Sequence, residues 1–472
     1  MIIKVTKGKK ILEKVQIVAR DAGVEVFAVG GFVRDLYLKS EGKDIDFVVI
    51  GNALDFAERF KKRFRSGQVV TYPRFGTAML IYQNYKLEFV SARSEYYDEH
   101  SRKPHVSEAD LESDLSRRDF TINTLAMDIS PENFGSIIDV YNGIDDIKRK
   151  LIRTPLDPVV TFSDDPLRIL RAVRFAAVLN FKIEEKTYRA IIETRERLEI
   201  ISQERITEEF RKMMMASKPS IGLQLMKETG LLSVIFPELD QLSGVDQRKD
   251  YHHKDVFNHT LQVVDNISRK TKKFELRLAA LLHDIAKPQT KRFVEGTGWT
   301  FHGHEELGAR MSERICRRMR LPVSIIKYVQ KLVRLHLRPM QLVDEEVTDS
   351  AIRRVMVEAG DSLEDLMLLC RADVTSKNPQ KVKRYLSNFD IVEEKMREVE
   401  EKDKLRNFKP AISGNDIMSA LGIGPGPAIG EIKQAVTDAI LDGIISNDYD
   451  ACYNFMMQIK DRYLDKEKHP AK

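Results

Sequence analysis

Two aspartates near the start of the chain, Asp44 and Asp46, have the spacing of a pair of metal ligands. They fall in residues 44–50, where an alternating and then apolar pattern predicts a strand. Side chains two residues apart on a strand share a face, so the two carboxylates are expected to lie side by side. Such a pair can hold two Mg²⁺ ions about 4 Å apart for in-line attack on a phosphoryl group. An edge strand or a turn explains the same spacing, so neighbouring segments must decide between these alternatives.

A glycine pair precedes these aspartates at a predicted strand-to-helix turn. Gly30 and Gly31 follow a predicted strand at residues 24–29 and precede a short predicted helix at residues 32–38. Glycines at such a turn let backbone N–H groups approach an anion, and the N-terminus of a helix favours negative charge. Arg34 lies in the first turn of that helix. The alternative is an ordinary tight turn, but a phosphate cradle followed by paired carboxylates is what a nucleoside triphosphate requires.

A third carboxylate is expected from the same predicted sheet. Glu88 is the one acid in the strand-like run at residues 85–90. The alternative is a glutamate on the solvent-facing side of a strand. We therefore interpret Asp44, Asp46 and Glu88 as the candidate catalytic acids, with Asp44 and Asp46 as the ligands of Mg²⁺.

Five segments of the first 212 residues resemble, in order, the motifs of the class II nucleotidyltransferases, which comprise the CCA-adding enzymes and the bacterial poly(A) polymerases. The segments are residues 30–35 with 44–46, 117–123, 139–143, 165–175 and 204–212. Each is moderately specific alone, and their shared order makes the resemblance strong. The family usually has Glu where this chain has Asp164, which is a conservative departure. The resemblance implies nucleotide binding by Gly30, Gly31, Arg34, Arg118, Asp119, Asn123, Asp165, Arg168, Arg171 and Arg174.

Two polar pairs within these motifs suit nucleotide recognition. Asp119 and Asn123 are four residues apart, so on a helix they would share a face and offer an acceptor and an amide to a ribose 2′-hydroxyl. The alternative is a helix N-cap and a surface asparagine. Asp165 and Arg168 are three residues apart and would also share a face. Asp can accept from the exocyclic amine of cytosine or adenine, and Arg can donate to a ring nitrogen, so this pair predicts base selection without a template.

The arginines that follow Arg168 predict contact with phosphate. Arg171 and Arg174 continue the same predicted helix, although a simple charged stripe would explain them as well. The net charge of +5 permits a local basic face. We therefore expect RNA to be held mainly through its backbone, on a basic surface formed by the helical region after Arg168.

A second set of candidate ligands lies in the middle of the chain. Seven of the ten histidines fall between residues 252 and 336, including His252 and His253, whereas a lone histidine is far more often structural. Imidazole and carboxylate ligands without thiolates suit Mn²⁺, Fe²⁺, Ni²⁺, Mg²⁺ or Zn²⁺, so the identity of this divalent metal stays open. The candidate metal ligands are His259, His283, Asp284, His304, His336 and Asp373.

Residues 251–375 resemble the HD superfamily of metal phosphohydrolases, with Ala286 where the family commonly has Gly. The resemblance implies hydrolysis of a phosphomonoester, a cyclic phosphodiester or a nucleotide, with Lys287 placed to stabilise a phosphate. It also implies that His259, His283, Asp284 and Asp373 bind a primary metal, while His304 and His336 serve a second metal or the substrate phosphate. The alternative is a retained fold with an inactive or structural metal site.

The elements that position these groups change near residue 165, from short strands mixed with helices to a helical period. We predict an α+β chain: a nucleotidyltransferase head with a small sheet (1–152), followed by an all-helical neck (153–245), HD domain (246–400) and tail (401–472). Residues 409–430 contain eight glycines and prolines and predict a loop. The length of 472 residues agrees with two to four domains.

Composition restricts the compartment and the partners. The three cysteines, Cys316, Cys370 and Cys452, are far apart and odd in number, which argues against a disulfide framework and favours a reducing, cytoplasmic setting. No apolar run approaches about 18 residues, so no membrane span is expected. We expect CTP and ATP as substrates and a tRNA 3′ end as partner, leaving the oligomeric state open. The alternatives are a poly(A) polymerase acting on diverse RNAs and a nucleotide-binding sensor without transferase chemistry.

Overall fold

A computed structural model describes residues 1–3, 5, 8–40, 42–65, 67–96, 105–108, 110–245, 255–342, 348–376, 378–403 and 408–468. His252 and His253 lie outside the described residues. The chain divides into two compact units, residues 1–240 and 241–472. The predicted α+β class is confirmed, with a small N-terminal sheet followed by helices. Within the described residues, no helix combines the length and apolar character needed to cross a membrane.

The first unit is built on a seven-stranded sheet with the order β3-β4-β5-β2-β1-β8-β9. Only the central pair, β2 and β5, is parallel; the other neighbours are antiparallel. Two-stranded pairs join β6 with β7 and β10 with β11. The strands of this unit are β1 (Val26–Val29), β2 (Asp44–Val49), β3 (Val70–Tyr72), β4 (Thr77–Tyr82), β5 (Tyr85–Ser91), β6 (Arg93–Tyr96), β7 (His105–Glu108), β8 (Ala126–Asp128), β9 (Ile137–Ile138), β10 (Leu151–Ile152) and β11 (Lys182–Ile183).

Helices flank this sheet and then continue as the neck. The 3₁₀ segments are Pro73–Phe75, Thr121–Asn123 and Arg195–Ile200. The α-helices are α1 (Lys9–Ala22), α2 (Gly31–Tyr37), α3 (Ala53–Phe64), α4 (Leu111–Ser116), α5 (Gly143–Arg149), α6 (Pro158–Asp164), α7 (Leu167–Leu179), α8 (Glu185–Thr194), α9 (Gln203–Met214), α10 (Ser220–Glu228), α11 (Leu231–Ile235) and α12 (Pro237–Asp240).

The two faces of β2 have different roles. Ile45, Phe47 and Val49 are fully buried on one face, where Phe47 stacks on Phe89 of β5 with ring centroids 5.1 Å apart. The opposite face carries Asp44 and Asp46, because successive side chains alternate along a strand. The aromatic face thus holds the strand in the sheet while the acidic face remains accessible.

The second unit is mainly helical, with one short hairpin. A further 3₁₀ segment is Gly360–Ser362. The hairpin strands β12 and β13 were not part of the all-helical expectation. Its elements are α13 (Val256–Ser268), α14 (Phe274–Leu282), α15 (Lys287–Thr290), β12 (Arg292–Val294), β13 (Gly298–Thr300), α16 (His304–Arg318), α17 (Val323–Leu335), α18 (Arg338–Gln341), α19 (Asp349–Ala359), α20 (Leu363–Asp373), α21 (Pro379–Asp403), α22 (Gly414–Leu421), α23 (Pro427–Leu441), α24 (Tyr449–Ile459) and α25 (Asp461–Lys468).

The prediction of a loop over residues 409–430 is wrong for α22. This helix begins with a reciprocal capping box between Ser413 and Asp416, and it ends at Gly422, which adopts a left-handed conformation. Ile417 of α22 packs in a small buried cluster with Ile432 and Val436 of α23. Glycine and proline therefore mark the ends of helices here, where a cap and a shared core outweigh the low helix propensity of the segment.

Candidate nucleotidyl-transfer and metal sites

Three carboxylates converge on one face of the sheet, as the sequence predicted. Asp46 and Glu88 stand at the same register of the parallel strands β2 and β5, and neighbouring strands lie about 4.8 Å apart. Asp44 lies two residues before Asp46 on the same face and is exposed. Burial raises the pKa of the Asp46 carboxyl, while the nearby Arg118 and Lys86 oppose that shift. Carboxylate oxygens in such an array fit a hard divalent cation.

The glycine turn lets Arg118 approach this acidic face. Gly30 has φ +73°, and a Cβ built there would lie 2.9 Å from Nη1 of Arg118 and 3.9 Å from Oδ2 of Asp46. A side chain at this position would therefore strain the backbone and collide with the guanidinium. Gly30 therefore allows the Arg118 guanidinium to lie close to Asp46, and phosphate binding by Gly30, Gly31 and Arg118 stays a prediction.

Arg118 is positioned by an acid that sequence reasoning missed. Asp114 is fully buried in α4, and its Oδ2 accepts from Nη2 of Arg118 at 3.1 Å. Its Oδ1 binds the neighbouring Arg117. The two arginines hold the pKa of Asp114 below its ordinary value, although burial acts in the opposite direction. The helical spacing of three and four residues between Asp114 and these arginines was the available signal.

A chain of buried polar contacts links the glycine turn to the neck. Nη1 of Arg34 donates to Oδ1 of Asn123 at 2.7 Å, and Nδ2 of Asn123 donates to Oδ1 of Asp119 at 2.9 Å. Nη2 of Arg171 in α7 lies 2.6 Å from Oδ2 of Asp119. The expected helix from residue 119 to 123 is wrong: Asp119 precedes the 3₁₀ segment Thr121–Asn123, which still brings the two side chains together. Recognition of a ribose by this pair stays a prediction.

The Asp119–Arg171 pair predicts an acid-sensitive part of the stability. Burial would raise the pKa of Asp119, but Arg171 and the hydrogen bond from Asn123 outweigh burial and lower it to about 2. The pair therefore stabilises the fold fully above about pH 4, the ordinary value for Asp, and this contribution is lost as the pH falls toward about 2. Asp119→Asn is expected to lower the free energy of unfolding at pH 7 by about 3 kcal/mol, because Arg171 keeps a charge without its partner.

Denaturant unfolding at pH 7 and pH 3 measures both effects. The matched control is Asp55→Asn, which removes an exposed ion pair with Arg59 and is expected to cost less than about 1 kcal/mol at either pH. A free energy of unfolding that depends on pH equally in the wild type and in Asp119→Asn would contradict the assignment.

The proposed base-selecting pair lies at a helix junction. Asp165 follows the end of α6 in an extended conformation and Pro166 precedes the first residue of α7, because proline disfavours a helical residue before it. The expectation that Asp165 and Arg168 share one face of a single helix is therefore wrong. Oδ1 of Asp165 instead accepts from the backbone N–H of Leu167 at 3.3 Å. Nη2 of Arg168 donates to the carbonyl of Arg117 at 2.6 Å, which holds its guanidinium against the second motif.

The arginines of α7 do not form the expected exposed basic surface. Arg171 is paired with Asp119, and Nε of Arg174 lies 2.9 Å from Oε2 of the buried Glu209 in α9. The Arg174 guanidinium also lies over the Phe175 ring, with 4.2 Å to the centroid. These guanidinium groups therefore connect the neck helices to buried acids, and the phosphate-binding role of Arg171 and Arg174 stays a prediction.

The second unit brings all six candidate ligands of the histidine-rich region together. Oδ2 of Asp284 lies 3.4 Å from Nε2 of His259 and 3.1 Å from Nε2 of His283. Its Oδ1 lies 3.4 Å from Nε2 of His304 and 3.9 Å from Nε2 of His336. Asp284 therefore stands between two groups of ligands. The first group contains His259, His283 and Asp373, and the second contains Asp284, His304 and His336.

Each histidine of this cluster presents Nε2 because its Nδ1 is engaged elsewhere. Nδ1 of His283, His304 and His336 lies 2.7 to 2.8 Å from a carbonyl oxygen three residues earlier. Nδ1 of His259 lies 2.8 Å from the hydroxyl of Thr375. In the neutral imidazole, a proton on Nδ1 leaves the Nε2 lone pair directed at the cluster, which is the usual orientation of a metal-binding histidine.

Unsatisfied buried atoms show that the cluster fits a metal. Four buried atoms of the cluster find no hydrogen-bond partner among the described residues: Nε2 of His283, Nε2 of His304, Nε2 of His336 and Oδ1 of Asp373. Burial lowers the pKa of His336 to about 4, so this imidazole is neutral at pH 7. For His283, the attraction of Asp284 and Asp373 outweighs burial and raises the pKa to about 10. The carboxylates thus place negative charge in the cluster, and a bound divalent cation would neutralise it.

Lys287 is closer to the ligands than the sequence implied. Its Nζ lies 2.7 Å from Oδ2 of Asp284, and its side chain is mostly buried. The lysine therefore holds the shared carboxylate in place within this structure. A direct role toward a substrate phosphate stays a prediction.

Comparison with known proteins identifies three domains in the chain. Residues 26–153 match the Poly A polymerase head domain, residues 180–242 match the probable RNA and SrmB-binding site of polymerase A, and residues 256–378 match the HD domain. The three matches contain the carboxylate site, most of the neck and the histidine cluster, respectively.

Relatives match most of the chain. A Thermus thermophilus protein named CC-adding tRNA nucleotidyltransferase is 30% identical over 437 residues, covering 90% of this chain and 92% of the relative. A Deinococcus radiodurans protein named A-adding tRNA nucleotidyltransferase is 30% identical over 338 residues, covering 70% of this chain and 75% of the relative. The crystal structure of the Bacillus stearothermophilus CCA-adding enzyme in complex with CTP has a TM-score of 0.67 at 22% identity, covering 98% and 100% of the two chains. The structural likeness supports the fold.

Proposed function

The chain belongs to the family of tRNA nucleotidyltransferases and poly(A) polymerases, and on that premise we propose that it adds CMP or AMP to the 3′ end of tRNA without a template. The observation that carries the proposal is the register of Asp46 and Glu88 on adjacent strands, with Asp44 beside them and Arg118 against Gly30. Relatives named for CC addition and A addition support tRNA as the acceptor. Divalent metal dependence follows from the head domain, and we propose Mg²⁺ because all the ligands are carboxylates.

Different residues of the first unit bind the metal and the triphosphate during nucleotidyl transfer. Asp44, Asp46 and Glu88 would hold Mg²⁺, which when bound stabilises charge on the transferred phosphoryl group and activates the attacking hydroxyl. Arg118 would receive the triphosphate through its guanidinium. Gly30, whose own N–H donates to the carbonyl of Leu125 at 2.9 Å, leaves room for this arginine. Holding the triphosphate and the RNA 3′ end on groups with fixed positions would lower the entropic part of the barrier.

The range of nucleotides added distinguishes this proposal from its alternatives. Three tRNA substrates, ending before the first C, after the first C and after the second C, are each incubated with labelled CTP or ATP. Addition of CMP to the first two or of AMP to the third supports tRNA maturation. Long A tracts on RNA unrelated to tRNA would support a poly(A) polymerase, and binding of nucleotide without addition to any acceptor would support a sensor.

Arg168→Ala is expected to relax base selection. The guanidinium of Arg168 is anchored on the carbonyl of Arg117, so it can present its remaining N–H groups to a base in one orientation. Its loss should reduce the preference for CTP and ATP over UTP and GTP by about 1–3 kcal/mol, which is roughly 5- to 150-fold. The ratio of kcat/KM for the four nucleotides measures this effect.

The matched control removes an arginine that is not anchored on the carbonyl of Arg117. Arg189 of α8 is exposed and forms an ion pair with Glu185 one helical turn away. Arg189→Ala should keep the wild-type nucleotide preference. An unchanged preference in Arg168→Ala would place base selection elsewhere in the neck.

We further propose that the second unit is a metal-dependent phosphoesterase. The observation that favours it is Asp284, whose two oxygens lie among the Nε2 atoms of four histidines. His259, His283, Asp284 and Asp373 would hold one divalent cation, with His304 and His336 available for a second. Metal bound there polarises a phosphoryl group and lowers the pKa of a bound water. Hydrolysis of a 2′,3′-cyclic phosphate with Mn²⁺, Ni²⁺, Mg²⁺ or Zn²⁺ tests the proposal and identifies the metal.

A further inference from the structure

The hairpin of β12 and β13 presents two aromatic side chains to solvent. Phe293 and Trp299 are directly paired in its register, and their rings meet edge to face with centroids 5.3 Å apart. The two side chains are 51% and 38% exposed. Large aromatic side chains contribute most to stability when they are buried, so an exposed pair at one site indicates a binding role.

Positive charge accompanies these rings on the same face of the hairpin. Lys291 and Phe301 flank the paired strands, so by alternation they share the face of Phe293 and Trp299. Nζ of Lys291 lies 4.3 Å from the centroid of the Trp299 ring. Arg292 also belongs to the hairpin, although alternation places it on the opposite face, and Glu295 is the one acid in residues 291–302. This aromatic and basic face is complementary to a base joined to a phosphate.

The base of the hairpin contacts one ligand of the histidine cluster directly and a second ligand through Lys287. The carbonyl of Phe301 accepts from Nδ1 of His304 at 2.7 Å. Lys287, which binds Oδ2 of Asp284 at 2.7 Å, has its Nζ 5.6 Å from the centroid of the Phe301 ring. The aromatic face therefore begins at the metal-binding residues, and two residues along the strand, about 7 Å, separate Phe301 from Trp299.

We propose that this hairpin is a stacking platform for the unpaired 3′-terminal bases of an RNA, which places the terminal phosphoester at the histidine cluster. The proposal rests on the phosphoesterase function proposed above and adds its substrate class. Successive bases stack on aromatic side chains with little dependence on sequence, while lysine and arginine contact the phosphates. A protein partner would require a broader apolar surface than one aromatic pair bordered by cations.

Trp299 makes the proposal directly measurable because it is the single tryptophan of the chain. The full-length protein is titrated with the RNA trinucleotide CCA ending in a 3′-phosphorothioate, which resists hydrolysis, while tryptophan fluorescence is recorded. Stacking on Trp299 should produce saturable quenching. Phe293→Ala keeps the reporter but removes half of the platform, so the dissociation constant should rise about tenfold.

Tyr385→Ala is the matched control, because this aromatic residue of α21 in the same unit is 41% exposed. It should bind the trinucleotide as the wild type does. Equal weakening by both variants, or no quenching of the wild type, overturns the platform. Quenching without hydrolysis of any phosphoester under any metal would leave the platform in place and refute the phosphoesterase, so the two failures are distinguishable.

A kinetic measurement separates base binding from the state of the metal cluster. Trp299→Leu keeps an apolar side chain but removes the stacking ring. It should raise KM about tenfold for a CCA trinucleotide with a 2′,3′-cyclic phosphate while leaving kcat and the hydrolysis of base-free glycerol 2-phosphate unchanged. An equal loss toward both substrates would mean that the hairpin supports only the ligands, which overturns the proposal.

Discussion

Asp46→Asn is expected to lower the rate of nucleotide addition by about 10³-fold or more. Asp46 is half-buried, whereas Asp44 is exposed, and it is in register with Glu88 on the adjacent strand. Asparagine keeps the shape of the side chain but removes the charge that would bind Mg²⁺. Metal ions contribute several kcal/mol to phosphoryl transfer, and each 1.4 kcal/mol is about a factor of ten in rate. Single-turnover addition to tRNA across a range of Mg²⁺ concentrations measures the loss.

The fold should survive this change, because neutralising a half-buried carboxylate whose pKa is already raised removes an unfavourable charge. Asp55→Asn, in the exposed ion pair with Arg59, is the control and should add nucleotides at the wild-type rate. Incorporation by Asp46→Asn within about tenfold of the wild type would refute the metal-ligand assignment. A fall in the midpoint of unfolding for Asp46→Asn would instead indicate a structural role.

Asp284→Asn is expected to abolish phosphoester hydrolysis, by about 10³-fold or more, and to spare nucleotide addition. Its two oxygens face different histidines, so one substitution weakens both groups of ligands. The lost carboxylate charge also leaves Lys287 beside the cluster without its partner, which further repels a cation. Hydrolysis of a 2′,3′-cyclic phosphate and the number of bound metal ions, counted by elemental analysis of the dialysed protein, are the measurements.

The converse variant completes the comparison. Asp46→Asn should retain hydrolysis while losing addition, since the two sets of ligands belong to different compact units. The control is Asp361→Asn, which changes an exposed acid in the Gly360–Ser362 segment of the second unit. Asp265→Asn would not serve as a control, because Asp265 is buried in α13. Loss of both activities in either single variant would contradict the independence of the two sites.

The order of motifs and the positions of the local elements were determined by the sequence alone. Asp44 and Asp46 share a face because side chains alternate along β2, and the predicted strand at residues 44–50 agrees with the observed Asp44–Val49. Gly30 occupies the left-handed turn that glycine favours. The confirmed fold class was also predictable from the sequence, since the change from alternating to helical periodicity is a local signal. The roles assigned to individual site residues stay predictions.

Contacts between distant segments were decided only by the tertiary structure. The local spacing of Asp119 and Asn123 could not show that Asp119 pairs with Arg171. That pair joins two segments far apart in the sequence, and only the packing of α7 brings them into a buried contact. The break that separates Asp165 from the helix of Arg168 is different, because Pro166 is a local signal that the sequence already contained.

For the histidine cluster too, the sequence predicted the residues and the tertiary structure decided their contacts. The sequence supplied its six ligands, but their spacing along the chain does not specify which atoms face one another. Only the packing of α13, α14, α16, α17 and α20 places both oxygens of Asp284 among four Nε2 atoms and brings the hairpin with Trp299 to its edge. Local periodicity specifies the face on which a side chain lies, whereas register and helix packing, which depend on contacts across the whole unit, determine its partner.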